Sequence, residues 1–424
     1  MANQKNRKPV TSRTKGLICL VVLCALTVFV SCLGIGGMKL DNEGVNVLLP
    51  WVPVSSANWP ASLPLNRALG GGSYVEYTAV LDEGATLDNV AKVISERLAG
   101  VAEEDHSVTV KGDTVRVELR NMDSDRLSGV RSLALMNGHY EFRDTEGNAV
   151  LTEKDVQRAV LTMNDSQTTY LVNATITDEA VQKLEEAGLS YVSVYLDGNQ
   201  VTSMATISGN EIRMSFLTSN FNTASNVVFL LTTGAIDATL TLKESGTLTA
   251  TAGGAKTVVL LVAAVLLVLA CLYLILTGKL TGLAGIWTVW CATLLGLFFV
   301  ATVVVPTINA LSVGCLLAML LGILLAVYTA VTRADAIGAQ TKEGFGPKQA
   351  SKLGFRASAK QIWLVHGCAL VISLILMIFA FSRAIGYTLA AFVTASAITV
   401  VLMRAFQACF TAISGKASLF GKTK

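Results

Sequence analysis

Six apolar runs constrain what this chain can fold into more than any other feature. Crossing roughly 30 Å of hydrocarbon takes about 20 helical residues. The runs Gly16–Met38, Thr257–Thr277, Leu283–Val305, Ala310–Thr332, Ile362–Phe381 and Ala384–Phe406 all reach that length. Each predicts a transmembrane helix, because a lone segment in lipid has to satisfy its own backbone hydrogen bonds. Composition agrees: 52% of the 424 residues are hydrophobic and only 15% are charged, a balance unlike that of a soluble domain. The first run is separated from the second by a long stretch of ordinary polarity, so the expected layout is one span, a soluble domain, and five more spans.

Charge gives these spans a direction. Residues 1–15 carry Lys5, Arg7, Lys8, Arg13 and Lys15 with no acid, and the 333–361 loop is +4 with six Lys/Arg against Asp335 and Glu343. Residues 39–255 hold 15 Lys/Arg against 28 Asp/Glu, a net −13. Basic residues flanking spans stay in the cytoplasm. The expected organisation is therefore a cytoplasmic tail (1–15), a first span (16–38), an extracytoplasmic α+β domain (39–255), a five-helix bundle (256–406) with a cytoplasmic 333–361 loop, and a cytoplasmic tail (407–424). A basic stretch before an apolar run also describes a signal peptide, and Phe29-Val30-Ser31-Cys32 resembles a lipoprotein cleavage site. Phe29 fits that motif poorly and the apolar run continues through Leu33 and Ile35, so an uncleaved anchor is expected.

All eight cysteines lie in or beside the spans and none falls in 39–255, which excludes a disulfide framework for the outer domain. There is no Cys-x-x-Cys and no His/Cys cluster, so the sequence carries no metal signature. His106 and His139 stand apart from one another and from any cysteine, and read as surface or strand residues.

The outer domain divides into two subdomains, about 73–145 and 150–250. In the first, strand Ser73–Leu81, helix Leu87–Ala99, strands Ser107–Val110 and Thr114–Arg120 joined at Lys111-Gly112-Asp113, helix Ser124–Leu135 and strand His139–Arg143 give the order β-α-β-β-α-β. That is the ferredoxin-like split unit. In the second, Thr152 reads as a helix N-cap with Asp155 three residues on. Strand Gln167–Ile176 follows, then a helix Asp178–Ala187 capped by Thr177, and a hairpin of Tyr191–Leu196 and Val201–Ile207 turning at Asp197-Gly198-Asn199. Strand Ile212–Phe216, helix Ser219–Thr233 and an extended return, Ile236–Leu248, complete it. Nothing gathers a nucleophile, a base and oxyanion donors, so no enzyme and no cofactor is expected.

Three stretches carry a family resemblance. Leu69-Gly70-Gly71-Gly72-Ser73-Tyr74 followed by Tyr77 is similar to the Leu-x-Gly-Gly stretch before the first outer strand of SecD, with Ala68 where that family has Asp. Leu151-Thr152-Glu153-Lys154-Asp155-Val156 and Tyr195-Leu196-Asp197-Gly198 are similar in order and spacing to SecD's outer domain. Ala350-x-x-x-Gly354-Phe355-x-x-Ser358-x-x-x-Ile362 resembles its connection between the fourth and fifth spans, which at helical periodicity lays Lys352, Arg356 and Lys360 along the inner membrane surface. With the layout, the chain is thus similar to a divergent SecD subunit of the SecD/SecF protein-export complex, in the RND superfamily.

The resemblance implies a SecF-like six-span partner, the Sec translocon channel and unfolded secreted polypeptide as partners, alongside membrane lipids and no nucleic acid. It also implies a buried Asp and a following Asn in the fourth span that take part in proton movement. Here Ala326 and Tyr328 hold those positions, and none of the six runs contains Asp or Glu. Tyr328, His366 and Arg404 remain as the intramembrane polar candidates, Arg404 snorkelling toward the interface. Three functions stay open: an accessory subunit of the protein-export translocase in the bacterial cytoplasmic membrane, a half-size RND-type transporter of lipid or a small molecule, and a non-transporting scaffold derived from one.

Overall fold

The computed structural model describes residues 12–34, 63–100, 105–122, 124–164, 166, 168–308, 310–414 and 416–420. The chain divides into two compact units, with boundaries at Gly70/Gly71 and Thr249/Ala250.

Helix α1 (Ser12–Gly34) precedes the soluble unit. That unit opens with β1 (Gly72–Leu81), α2 (Leu87–Gly100), β2 (His106–Lys111), β3 (Thr114–Arg120) and α3 (Ser124–Leu135). Val90, Ile94 and Leu98 recur on one face of α2 and pack with Val130 and Ala134 of α3 on Val115, Val117 and Leu119 of β3. Apolar burial of this kind, at about 25 cal/mol per Å², holds two helices on one sheet face.

The ferredoxin-like unit forms, but its fourth strand is not the expected 139–143 segment. The sheet order is β11-β1-β3-β2, where β11 (Ala238–Leu248) runs antiparallel to β1 from Gly72↔Leu248 to Leu81↔Ala238. The expected strand, β4 (Tyr140–Arg143), belongs instead to a second sheet. Length gives the physical reason: a four-residue strand leaves most of β1's ten residues unpaired, whereas β11 pairs along all of it. Everything from β4 to the helix before β11 is therefore an insertion between the second helix and the last strand of the ferredoxin-like unit.

The insertion contains β4, β5 (Ala149–Thr152), β6 (Val156–Met163), β7 (Thr169–Ile176), α4 (Asp178–Glu186), β8 (Tyr191–Leu196), β9 (Asn199–Ser208), β10 (Glu211–Leu217) and α5 (Phe221–Thr233). Its sheet is fully antiparallel in the order β5-β4-β8-β9-β10-β7-β6. Tyr140, Phe142, Val172, Val194 and Met214 point into a core closed by Ala180 and Leu184 of α4 and by Val227 and Leu230 of α5. Thr177 caps α4 as expected, its hydroxyl accepting from the Ala180 amide. Thr152, by contrast, starts only a single 3₁₀ turn, Glu153–Asp155. Helix gives way there because Val156–Met163 pairs with β7, a partner the local sequence does not reveal.

In the other unit, α6 (Gly253–Gly278), α7 (Leu280–Phe299), α8 (Val313–Lys342), α9 (Pro347–Ile378) and α10 (Arg383–Ile413) join α1. A π-helical turn, Val300–Val304, extends α7. Six helices among the described residues are long and apolar enough to cross a membrane, and together the two units make a six-span α+β membrane protein. Helices α8 and α10 are the most buried of the six. Helix α1 is bound into the bundle: Leu20 and Leu23 pack near Phe406, Trp287 Nε1 donates to Thr27 Oγ1 at 3.1 Å, and Trp290 Nε1 donates to Ser31 Oγ at 2.9 Å.

The 333–361 stretch, expected as a cytoplasmic loop with helical periodicity over 350–362, is helical nearly throughout. Helix α8 runs ten residues past Thr332, α9 starts fifteen before Ile362, and only Glu343–Gly346 lies between them. The reason is local: Gly344 and Gly346 fall together in the turn, and Pro347, the one proline of the stretch, occupies the first turn of α9, where its missing amide costs nothing. Ala334, Ile337, Thr341, Ala350, Gly354, Phe355 and Ser358 are buried at three- and four-residue spacings, while Lys352, Arg356 and Lys360 face outward.

Candidate functional site

Of the glycines in the family-like stretch, Gly70 ends a helical turn (Arg67–Gly70) and Gly71 has φ +70°. Gly72 starts β1, where a Cβ would sit 2.0 Å from the Leu119 carbonyl oxygen. No side chain fits there, so the strand can lie against β3 only with glycine. Asp155 accepts from the Thr152 amide at 2.9 Å and pairs with Lys183 at 2.9 Å, which ties the 3₁₀ turn to α4. Burial works against its charge, but the Thr152 amide and Lys183 outweigh that and hold the carboxyl below the usual range. Asp197 and Gly198 form the two-residue β8–β9 turn with φ of +48° and +78°, the left-handed pair that such a hairpin requires.

Asp197 also reaches away from its turn. Its carboxylate accepts from the amides of Gly138 at 3.1 Å and His139 at 2.9 Å, and its own amide donates to the His139 carbonyl at 2.9 Å. This fixes the α3–β4 connection, where the insertion leaves the ferredoxin-like unit. Arg97 of α2, fully buried, fixes both crossings at once. It donates to the carbonyls of Met136 and Asn137 on the outgoing connection, and to the Gly234 carbonyl at 2.5 Å and the Thr233 hydroxyl at 3.3 Å on the return. Burial pulls its pKa down to about 10, with Asp197 and Tyr140 opposing.

Beside this anchor, His139 Nδ1 lies 3.7 Å from Glu153 Oε1 and 4.0 Å from Asp237 Oδ1. Glu153, itself buried, receives the Tyr140 amide at 2.9 Å. The Glu153 contact raises the His139 pKa against the opposing effect of burial, with Asp237 and Asp197 adding to the rise. The sequence placed His139 alone; the fold surrounds it with carboxylates. Arg97, Glu153 and Asp237 were not singled out by sequence reasoning. One signal was present for Arg97, which sits on the apolar face of α2 beside Ile94 and Leu98, where a charge has to find buried partners. His106 accepts or donates with Ser95 Oγ at 2.9 Å, away from these groups.

In the bundle, Gly354 lets α9 cross α8 at close range, since a Cβ there would lie 2.8 Å from the backbone of Ile337. Phe355, next to it, carries Arg333 on its ring. Arg333 is 4% exposed and donates from Nη1 to the Val400 carbonyl at 2.7 Å, so a residue assigned to a basic loop is a buried cation inside the helix assembly. His366 is buried, with Nδ1 2.9 Å from the Ile362 carbonyl and Nε2 3.0 Å from Ser396 Oγ on α10. Tyr328 is half-buried against the cluster containing Leu325 and Leu389, and Arg404 is exposed. Ala326 is buried with Leu274, Val289, Ala292 and Ala330. Asp335, just past the expected end of the fourth span, rides on α8 and accepts from Tyr273 Oη at 3.2 Å. The structure therefore brings His366 and Arg333 into the bundle interior and leaves Arg404 outside it.

A ferredoxin-like domain with a large insertion, set between the first and second of six spans, defines the class to which this fold belongs. No family model matches the chain, and no curated protein does. Solved structures do. The chain is similar to the crystal structure of SecDF in its super-membrane-facing form, with a TM-score of 0.68 and 20% identity over 94% of this chain and 58% of that one. It is also similar to the crystal structure of SecDF, a translocon-associated membrane protein, from Thermus thermophilus, with a TM-score of 0.54 and 18% identity over 94% of this chain and 59% of that one. At such identities the likeness is one of fold, and the chain spans a little under three fifths of the length of these proteins.

Proposed function

We propose that this chain is an accessory subunit of a protein-export translocase and acts on secreted polypeptide outside the cytoplasm through residues 71–249. The observation that carries this reading is the likeness to SecDF across 94% of the chain, membrane helices and soluble domain together. Its partners in this reading are a SecF-like six-span chain and the Sec translocon channel, with Lys352, Arg356 and Lys360 facing lipid phosphates on the inner side. No catalytic step is assigned to it. The buried apolar surroundings of Ala326 favour this reading over a self-contained pump, because a proton path needs a group that gains and loses charge within the membrane.

Purification in mild detergent should recover a second multi-span chain that accounts for the part of SecDF this one does not cover, and deletion of this chain should slow export of a secreted reporter. Normal export in the deletion strain would refute the reading. Its orientation is tested separately in a background without the native cysteines. A membrane-impermeant thiol reagent added from outside should label Ser107→Cys and spare Ser351→Cys.

A further inference from the structure

Within the soluble unit, Asp82, His139 and Asp237 each offer a donor atom within 4.8 Å of the other two, a grouping that could hold a metal ion. We propose that these three residues form a binding site for a first-row divalent transition ion, of which Zn²⁺ is the probe.

The three ligands come from positions far apart in sequence, and the backbone holds each in place. Asp82 follows β1 and donates its amide to the Asp237 carbonyl at 3.1 Å. Asp237 precedes β11, on the segment where the Ile236 amide meets the Asn137 carbonyl at 2.7 Å. His139 is fixed from behind by the Asp197 carboxylate on its amide. A tetrahedral site with bonds of about 2.0–2.2 Å needs neighbouring donors roughly 3.3 Å apart. The 4.0 Å between His139 and Asp237 is already near that, and the partly exposed carboxylates can close the rest by side-chain rotation.

Donor chemistry selects the ion. Magnesium and calcium favour oxygen ligands alone, whereas an imidazole beside two carboxylates suits zinc or manganese. Glu153 Oε1, buried 3.7 Å from the same ring nitrogen that faces Asp237, sets a further carboxylate beside the proposed ion. Charge points the same way. Asp82, Glu153 and Asp237 supply three negative charges around His139, and the cation reaching them is Lys154, 3.6 Å from Asp237 with a side chain 72% exposed. An ammonium so exposed leaves readily.

A bound ion would join the outgoing and returning connections of the insertion to the end of β1. It would act as a staple between the two sheets, without a part in any reaction. This inference is independent of the export role and survives or fails apart from it.

The test uses the full chain in detergent, stripped with chelator and held at about pH 8 so that protons do not compete for the imidazole. Zn²⁺ titration by calorimetry should show one saturable site. Binding should weaken at least ~10-fold in His139→Gln and in Asp237→Asn, and stay unchanged in His106→Gln. Lys154→Ala should tighten binding, because it removes the competing cation; in a cluster that is only an ion-pair network the same change would leave Zn²⁺ affinity unmoved. Hydrogen exchange should slow on Zn²⁺ addition around 82–86, 136–140 and 234–238. No saturable binding up to about 1 mM, or binding indifferent to the His139 and Asp237 changes, would overturn the proposal.

Discussion

The guanidinium of Arg333 lies 4.4 Å above the ring of Phe355, so the turn of α9 after Gly354 shields a cation on α8. Its partners are this ring and the Val400 carbonyl. A buried cation held without a carboxylate is expensive to desolvate, and replacing it by an apolar side chain of similar volume is often neutral or stabilising. Arg333→Met is therefore expected to change stability by about 1 kcal/mol or less. Phe355→Ala is expected to cost about 3–5 kcal/mol from the cavity and the lost stacking. In the double variant the Phe355→Ala cost should fall by about 1–2 kcal/mol, the value of a desolvated cation–π contact. Thermal unfolding of the four proteins in one detergent measures the cycle, and strict additivity would show that the stacking contributes nothing.

His366 is the one histidine in the bundle, and both its ring nitrogens are engaged by groups that carry no charge, the Ile362 carbonyl and the Ser396 hydroxyl. A proton relay needs a second ionisable group in reach. His366→Gln, which keeps a donor and an acceptor, is expected to leave export-supporting activity nearly intact across about pH 6–8. Loss of activity with a shifted pH profile, in a protein that still folds, would assign His366 a proton-carrying role.

Acid should loosen the 3₁₀ turn and α4 before it reaches the rest of the insertion. The Asp155 carboxyl is held below its usual range in the folded protein, so its contribution is fully present above the unfolded value of about 3.9 and is lost as pH falls through the lower folded one. Lys183 is half-exposed, so the pair is worth roughly 1 kcal/mol or less. Lys183→Met should remove part of this pH dependence, whereas Asp155→Asn should abolish it. Hydrogen exchange over residues 152–187 between about pH 3 and 6 reads both, and identical profiles in wild type and Asp155→Asn would exclude the carboxylate.

What the sequence determined by itself was whatever depends on chain-local physics. Span number followed from apolar length. Helix Ser124–Leu135 and the Thr177 cap followed from short-range spacing, and the Asp197-Gly198 turn from the left-handed conformation that glycine and aspartate tolerate. The first five elements of the ferredoxin-like order were legible too, because each has its own period.

Tertiary structure alone decided which strands pair and which charges meet. Tyr140–Arg143 and Ala238–Leu248 both read as extended, and only the ten-residue edge offered by β1 separates them. Likewise, no local pattern distinguishes Arg333 from the basic residues that follow it, since its burial depends on α9 folding back at Gly346-Pro347 and crossing closely enough at Gly354 to lay Phe355 against it. The carboxylates around His139 come from three separate connections, brought together because a long insertion has to leave and rejoin one small sheet at nearly the same place. Hydrophobic length and turn chemistry act over a few residues and are written into them; strand partnership and the company a charge keeps depend on residues tens of positions away or, for β1 and β11, well over a hundred.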